Sequence, residues 1–266
     1  MKAYFKLELK KNIISLRTLI SILIILVTFI IPYLEELKFP YPGLDGVDYF
    51  IRIHQFSYIS FVGPVVAGVI YSTSIIKDKE SGFINKLLEV IDIKTYFKVK
   101  LAVNALINSV VFVVSYTIFI LYLIMNFGIN NDVGENINNG AFIIRALIGV
   151  YQTSKISYIS IILLLTEISA VAFSTFMLGI TTVIGRRITA YIVPIFYVIL
   201  TGIFFEIWLL NSVIDFNVIK MFDLTENNFI NNLGVIVYDL MLTLLGMGLL
   251  YKFSYKRSAL YLSHEI

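Results

Sequence analysis

Three carboxylates of this sequence, Glu167, Glu206 and Asp239, lie inside long apolar runs, where an ionisable group is hardest to accommodate. A charged side chain at mid-bilayer costs about 2.5 to 3.5 kcal/mol on insertion scales unless it is protonated, paired or turned to water. Glu167 sits near the middle of its run, so it is expected either to share an interhelical hydrogen bond or to line a polar pathway. Glu206 and Asp239 lie nearer the outer ends of theirs and are expected to reach interfacial water. Asn104 and Asn108, four residues apart, fit helix-to-helix contacts better than ligands.

Other chemistry is excluded by residue type. The 266 residues include no Cys and only two His, His54 and His264, in separate connections. Disulfides, thiolate nucleophiles and the usual zinc arrangements are thereby removed, and neither a catalytic residue nor a metal ligand is assigned. The patterns G-x-S-x-G and H-E-x-x-H are absent. So is the phosphate loop G-x-x-x-x-G-K-[ST], since the stretch from Gly179 to Arg187 has neither its spacing nor its ending. A net charge of +3, dispersed along the chain, offers no nucleic-acid surface.

The elements that must position these residues follow from composition. The chain is 58% hydrophobic and 15% charged, with mean hydropathy +0.86, against about 45 to 50% and about 25% for soluble domains. Its apolar residues fall in blocks long enough to cross about 30 Å of hydrocarbon as helices. Six spans are expected, at 18–34, 57–76, 101–126, 156–184, 189–210 and 234–251. The first follows a basic stretch but lacks a small-residue cleavage site, so it reads as a retained span. No connection is long enough for a folded core of its own, and the chain is expected to be one transmembrane domain, 1–266. Of the 21 Lys and Arg, 16 fall in the stretches 1–17, 77–100, 185–188 and 252–266. The positive-inside bias places both termini in the cytoplasm of a cell-membrane protein. Tyr71 and Tyr96 at inner ends, and Tyr33, Tyr122 and Tyr158 at outer ends, fit interfacial aromatic belts.

Four connections carry patterns of their own. In 2–17, Phe5, Leu9, Ile13 and Leu16 form one helical stripe flanked by Lys6, Lys10 and Arg17, as for a helix lying in the headgroup layer of membrane lipid; a plain positive anchor reads equally well. In 79–91, Phe83, Ile84, Leu87, Leu88 and Ile91 share one face of a helix, with Lys86 and Glu89 behind. That face suits docking into a partner's groove, and the four acids Asp78, Glu80, Glu89 and Asp92 argue against anionic lipid as its sole partner. The outer stretch 143–154 reads as a surface helix. The apolar outer stretch 211–233 is expected to dip into the interface or the bundle. Gly63 with Ala67 would permit close helix approach, and Pro64 and Pro194 would bend their spans.

The run Glu80-Ser81-Gly82-Phe83, then Lys86-Leu87-Leu88, then Tyr96 and Lys100 before span three, resembles the cytoplasmic loop of ABC-2 type permeases, the membrane subunits of ATP-binding-cassette exporters. Phe83 stands where Thr is common in that family, and the proline usual between the Leu-rich helix and span three is missing. The resemblance extends to the layout: an all-α membrane protein with an N-terminal amphipathic helix, six spans and short outer helices between spans five and six. It implies that Lys79, Glu80, Gly82, Phe83, Ile84, Leu87 and Leu88 belong to a coupling helix that docks on a separate nucleotide-binding subunit. ATP and Mg would bind that partner, with no cofactor in this chain. It further implies export through a pathway shared with a second copy or a homologous permease. Apolar, aromatic-rich spans favour a lipophilic or amphipathic cargo, and within the family a toxic or antimicrobial peptide is the favoured one. The competing readings are a six-span intramembrane enzyme of peptidase type and a channel or substrate-binding uptake subunit.

Overall fold

The computed structural model describes residues 2–130, 141–144, 147–204, 207, 217–225 and 233–255. Among these every regular element is a helix. In chain order they are α1 (Lys2–Ile13), α2 (Leu16–Glu36), α3 (Gly46–Phe56), α4 (Ile59–Ile70), α5 (Ser74–Glu80), α6 (Phe83–Leu88), α7 (Ile93–Phe127), α8 (Ile148–Thr153), α9 (Lys155–Ile184), α10 (Arg187–Ile199) and α11 (Leu233–Leu250). A π turn, Leu200–Phe204, extends α10, and another, Tyr251–Tyr255, extends α11.

Six stretches are long and apolar enough to cross a membrane: Leu16–Glu36, Ile59–Glu80, Ile93–Phe127, Lys155–Ile184, Arg187–Phe204 and Gly234–Phe253. The chain is therefore a multi-pass membrane protein. The expected spans coincide with these to within a few residues at most ends, but span three starts earlier than expected. At 35 residues, α7 is roughly 52 Å long at 1.5 Å per residue, some 20 Å more than hydrocarbon requires. Its first two turns, which hold Tyr96 and Lys100, thus belong with the connection that precedes them.

Local signals set the helix ends. The Ser15 hydroxyl accepts from the Thr18 amide, Asp92 from that of Thr95 and Ser154 from that of Ser157, each side chain satisfying one of the orphan donors of a first turn. Asp45 and Asp48 form a reciprocal capping box on α3. Gly82, at φ 68°, separates α5 from α6, a conformation that costs any residue with a Cβ. The single helix expected over 79–91 is therefore two helices with a left-handed residue between them.

α9 is the hub of the bundle, touching α4, α7, α8, α10 and, most extensively, α11. The last contact depends on glycine: a Cβ on Gly246 would lie 2.5 Å from the Thr175 carbonyl oxygen, and one on Gly179 would run into the Gly246 backbone. Such backbone approach is how membrane helices gain packing without a hydrophobic drive between them. Pro64 and Pro194 lie inside α4 and α10. A Cβ on Gly63 would meet the Phe222 ring, and one on Gly68 the Pro194 ring. At one end of the bundle Phe29, Phe50, His54, Tyr116 and Phe119 bind α2, α3 and α7 together, with Phe29 stacked on Phe119 at 5.1 Å and edge-on to Tyr116 at 5.0 Å. His54 is fully enclosed there, and burial holds its pKa down to about 4. Outward faces are apolar, with Leu23 and Leu34 on α2, Ile192 and Phe196 on α10, and Leu240 and Leu244 on α11 all exposed.

Of the connections, the stretch after span five enters the bundle where it is described. Val218, Met221, Phe222, Leu224 and Thr225 are buried around a short 3-10 turn, Val218–Met221, and Phe222 packs 5.6 Å from Phe112 of α7. Of the surface helix expected over 143–154, the described residues show α8, whose Tyr151 points inward and is buried.

Candidate functional site

The loop between spans two and three stands on a buried ionic node. Lys100 of α7, with no solvent exposure, places Nζ 2.6 Å from Glu8 Oε1 of α1 and 2.7 Å from Asp78 Oδ2 of α5. Two tyrosines complete it: Tyr71 donates to Glu8 Oε1 at 2.7 Å and Tyr96 donates to Asp78 Oδ2 at 2.9 Å. Both rings also face the ammonium, each 5.5 Å from Nζ. Three charges out of water are costly to bury, and attraction offsets that only where hydrogen bonds satisfy the remaining lone pairs; here the tyrosines and the lysine do so. Burial by itself pushes the Glu8 carboxyl up, but the Lys100 charge and hydrogen bond, helped by Tyr71 and Lys11, hold it below the ordinary carboxylate range. The same carboxylates, after burial, push the nearby Tyr4 hydroxyl well up.

This arrangement changes the reading of α1. Its inward residues are Tyr4 and Glu8, with Phe5 and Leu9 half-buried against the core, whereas Leu16, expected on the same stripe, is largely exposed. The helix expected either to lie in the headgroup layer or to serve as a plain positive anchor is clamped to the bundle by an acid. Tyr71 and Tyr96, expected in an interfacial belt, are hydrogen-bond donors inside the node.

From this base α5 and α6 project. Lys79 and Glu80 are exposed, and Glu80 pairs with Arg187 at the start of α10, so the loop is tied to span five as well. Gly82 makes the break, Ile84 is buried, and Phe83, Leu87, Leu88 and Ile91 are half-buried against the core. The apolar stripe expected to be free for a partner is thus largely used within the chain. The open face consists of Ser81, Asn85, Lys86, Glu89 and Val90, and Val90 is 81% exposed.

At the opposite end a second node repeats the pattern. Lys155, the first residue of α9, sets Nζ 2.7 Å from Asp45 Oδ2 and 2.9 Å from Asp48 Oδ2, and Tyr151 donates to Asp48 Oδ1 at 2.5 Å. Asp45 also takes the Asn130 amide at 2.8 Å. Sequence reasoning left Glu8, Asp45, Asp48 and Lys155 out of any site, because a charged residue beside an apolar run looks like a snorkelling boundary. The available signal was the Asp45-x-x-Asp48 spacing directly before Tyr49-Phe50-Ile51, a capping box opening an apolar helix.

The two described intramembrane carboxylates, Glu167 and Asp239, are not paired with each other. Asp239 of α11 does not reach interfacial water as expected: it is 2% exposed, accepts from Ser169 of α9 at 3.0 Å, and its Oδ1 has no partner among the described residues. Glu167 of α9 is half-exposed, and its side chain makes no hydrogen bond or ion pair among the described residues, so the interhelical bond, one of the two roles expected for it, is not seen among them. Glu206 lies outside the described residues. Asn104 does join helices, donating to Ser174 Oγ at 2.9 Å, while Asn108 donates back to the Asn104 carbonyl at 2.9 Å. Among the described residues no three His, Asp or Glu side chains are grouped to hold a metal ion. No protein-family profile, curated protein or solved structure matches the chain.

Proposed function

We propose that this chain is the membrane-spanning subunit of an ATP-binding-cassette exporter of the ABC-2 type, coupled to a separate ATPase subunit and forming half of a translocation pathway. The observation that supports this reading best is the loop Lys79–Ile91, which rests on the Lys100 node and on the Glu80–Arg187 pair and turns Asn85, Lys86, Glu89 and Val90 outward. A connection held at both ends can pass a push from a partner into spans two, three and five together, whereas a loop without such ties would absorb it. The partner's contact is assigned to this open face, and Phe83, Ile84, Leu87 and Leu88 form the apolar base beneath it.

On this reading both termini and the loop are cytoplasmic, which the placement of Lys and Arg supports. The pathway lies between this chain and a second copy or a similar chain. Glu167, half-exposed and without a described partner in its own chain, is assigned to that shared boundary, and Asp239 to a polar spot between α9 and α11. The outward apolar faces of α2, α10 and α11 suit lipid or the paired subunit, and a lipophilic or amphipathic cargo, a toxic or antimicrobial peptide above all, suits a pathway bordered by such faces. The test is purification of the chain from its native membrane in mild detergent: an ATP-hydrolysing subunit should accompany it, and its turnover should rise with cargo. A chain that purifies alone and retains its activity would overturn the proposal.

A further inference from the structure

Beside the Lys100 node, at the junction of α1, α2 and α5, a cavity of about 70 Å³ is lined by Lys11, Arg17, Lys77 and the node itself. Within that lining Lys100 is matched by Glu8 and Asp78, leaving one negative charge over. Lys11, Arg17 and Lys77 then bring the sum to two positive charges in excess. Arg17 donates to Thr73 Oγ1 at 3.2 Å and lies 5.9 Å from the centre of the Tyr191 ring. The Lys77 ammonium is half-buried and has neither a hydrogen bond nor an ion pair among the described residues, and Arg17, Arg187 and Lys11 are the cations that repel it. Arg187 has its own partner in Glu80. Lys11 and Arg17 are exposed to water, but Lys77 is half-buried with only the neighbouring Asp78 charge to attract it, and a bound anion would neutralise the three cations together.

We propose that this cavity binds a phosphate group, held by Lys77, Arg17 and Lys11 where α1 meets the end of the bundle. A phosphate offers several acceptor oxygens and takes charge-assisted bonds from lysine and arginine. The site lies at one end of the candidate spans, and basic pockets between membrane helices near such ends take anionic lipid headgroups. The same chemistry would take a free phosphate. The inference does not rest on the exporter reading, since it concerns charge balance at one end of the bundle and involves no partner protein.

The experiment compares the purified chain with the variant Arg17→Gln/Lys77→Gln and with a control, Lys94→Gln/Lys98→Gln, which removes the same charge from exposed positions on α7. Each is titrated in neutral detergent with phosphatidylglycerol, with phosphatidylcholine and with inorganic phosphate, and binding is read by native mass spectrometry and by the shift in thermal unfolding. Wild type and control should bind phosphatidylglycerol or inorganic phosphate and ignore phosphatidylcholine, while the Arg17/Lys77 variant should bind about ten-fold more weakly. A response to phosphatidylglycerol alone identifies a lipid headgroup as the ligand, and one to inorganic phosphate identifies a free anion. No response of wild type to either, or equal losses in variant and control, would overturn the proposal. Lys77 supports no partner that its loss would strand, whereas Arg17 gives up its bond to Thr73, so each protein's ligand-induced shift is read against its own ligand-free unfolding temperature, and the single variant Lys77→Gln, which removes no such bond, should also bind more weakly than the control.

Discussion

Lys100 and Lys155 play the same part at opposite ends of the bundle, each a buried ammonium within 3 Å of two carboxylates and served by a tyrosine donor. Each sits near the start of a long span and draws in acids from other elements, α1 and α5 in one case and the α3 cap in the other. The two lysines therefore determine where α1, α3 and the loop after span two attach to the spans.

The first prediction concerns what remains when the cation is removed. Lys100→Met leaves Glu8 and Asp78 buried without a counter-charge, and breaking a buried ion pair costs about 3 to 5 kcal/mol. Asp78→Asn leaves Lys100 paired with Glu8 and should cost less. Thermal unfolding in detergent should rank Lys100→Met below Asp78→Asn, with Lys94→Met, at an exposed position, close to wild type. An unfolding temperature for Lys100→Met equal to that of Lys94→Met would contradict the role assigned to the node.

The second concerns pH. His54 has its pKa depressed to about 4 from an ordinary 6.5 because it is wholly buried. The folded state therefore holds it neutral while the unfolded chain takes up a proton. Its contribution is intact above pH 6.5 and is lost as pH falls towards 4, a change on the order of 3 kcal/mol if fully expressed. Glu8 is also depressed, so its contribution is present above the ordinary carboxylate pKa and is lost at still lower pH. His54→Gln should flatten the loss of stability between pH 6.5 and 4, and Glu8→Gln should leave that window unchanged.

A third prediction tests the glycine contact between α9 and α11. Gly246→Ala puts a methyl group against the Thr175 carbonyl and the Phe176 backbone. Overpacking of this kind costs about 1 to 3 kcal/mol. Gly248, where a Cβ would meet nothing within 4 Å, is the control, and Gly248→Ala should be tolerated. Equal unfolding temperatures for the two variants would show that the helices can separate at little cost.

Glu167 gives the fourth. Its side chain has no described partner within the chain, so Glu167→Gln should leave unfolding in detergent within about 0.5 kcal/mol of wild type, the usual range for substitutions that remove no contact. If the carboxylate lies on the boundary with a second subunit, the same change should alter pairing or transport. A large loss of monomer stability would place Glu167 in a contact of its own chain.

The spans were legible because each is an unbroken apolar run, and a run of that length has few other uses. The burial of Val218 to Thr225 was legible for a similar reason, too much apolar surface for a wet loop. The nodes were not. Lys100 and Glu8 are 92 residues apart and Lys155 and Asp45 are 110, and nothing local marks either lysine as buried. The break at Gly82 was hidden by an apolar period that continues across it, from Phe83 to Ile91. The partial burial of Phe83, Leu87 and Leu88 was hidden for a related reason: periodicity identifies an apolar stripe, but how far its own chain covers it depends on the tertiary fold.

The chain has no cysteine, so Val90→Cys creates a unique thiol on the open face of the loop. A photo-activated cross-linker carried there, in native membranes, tests the proposed coupling directly. The predicted product joins this chain to an ATP-hydrolysing subunit, forms only when the reagent has access from the cytoplasm, and is lost when the linker is carried instead by Leu240→Cys on the outward face of α11. Cross-linking from outside intact cells, or a product without an ATPase, would contradict the account.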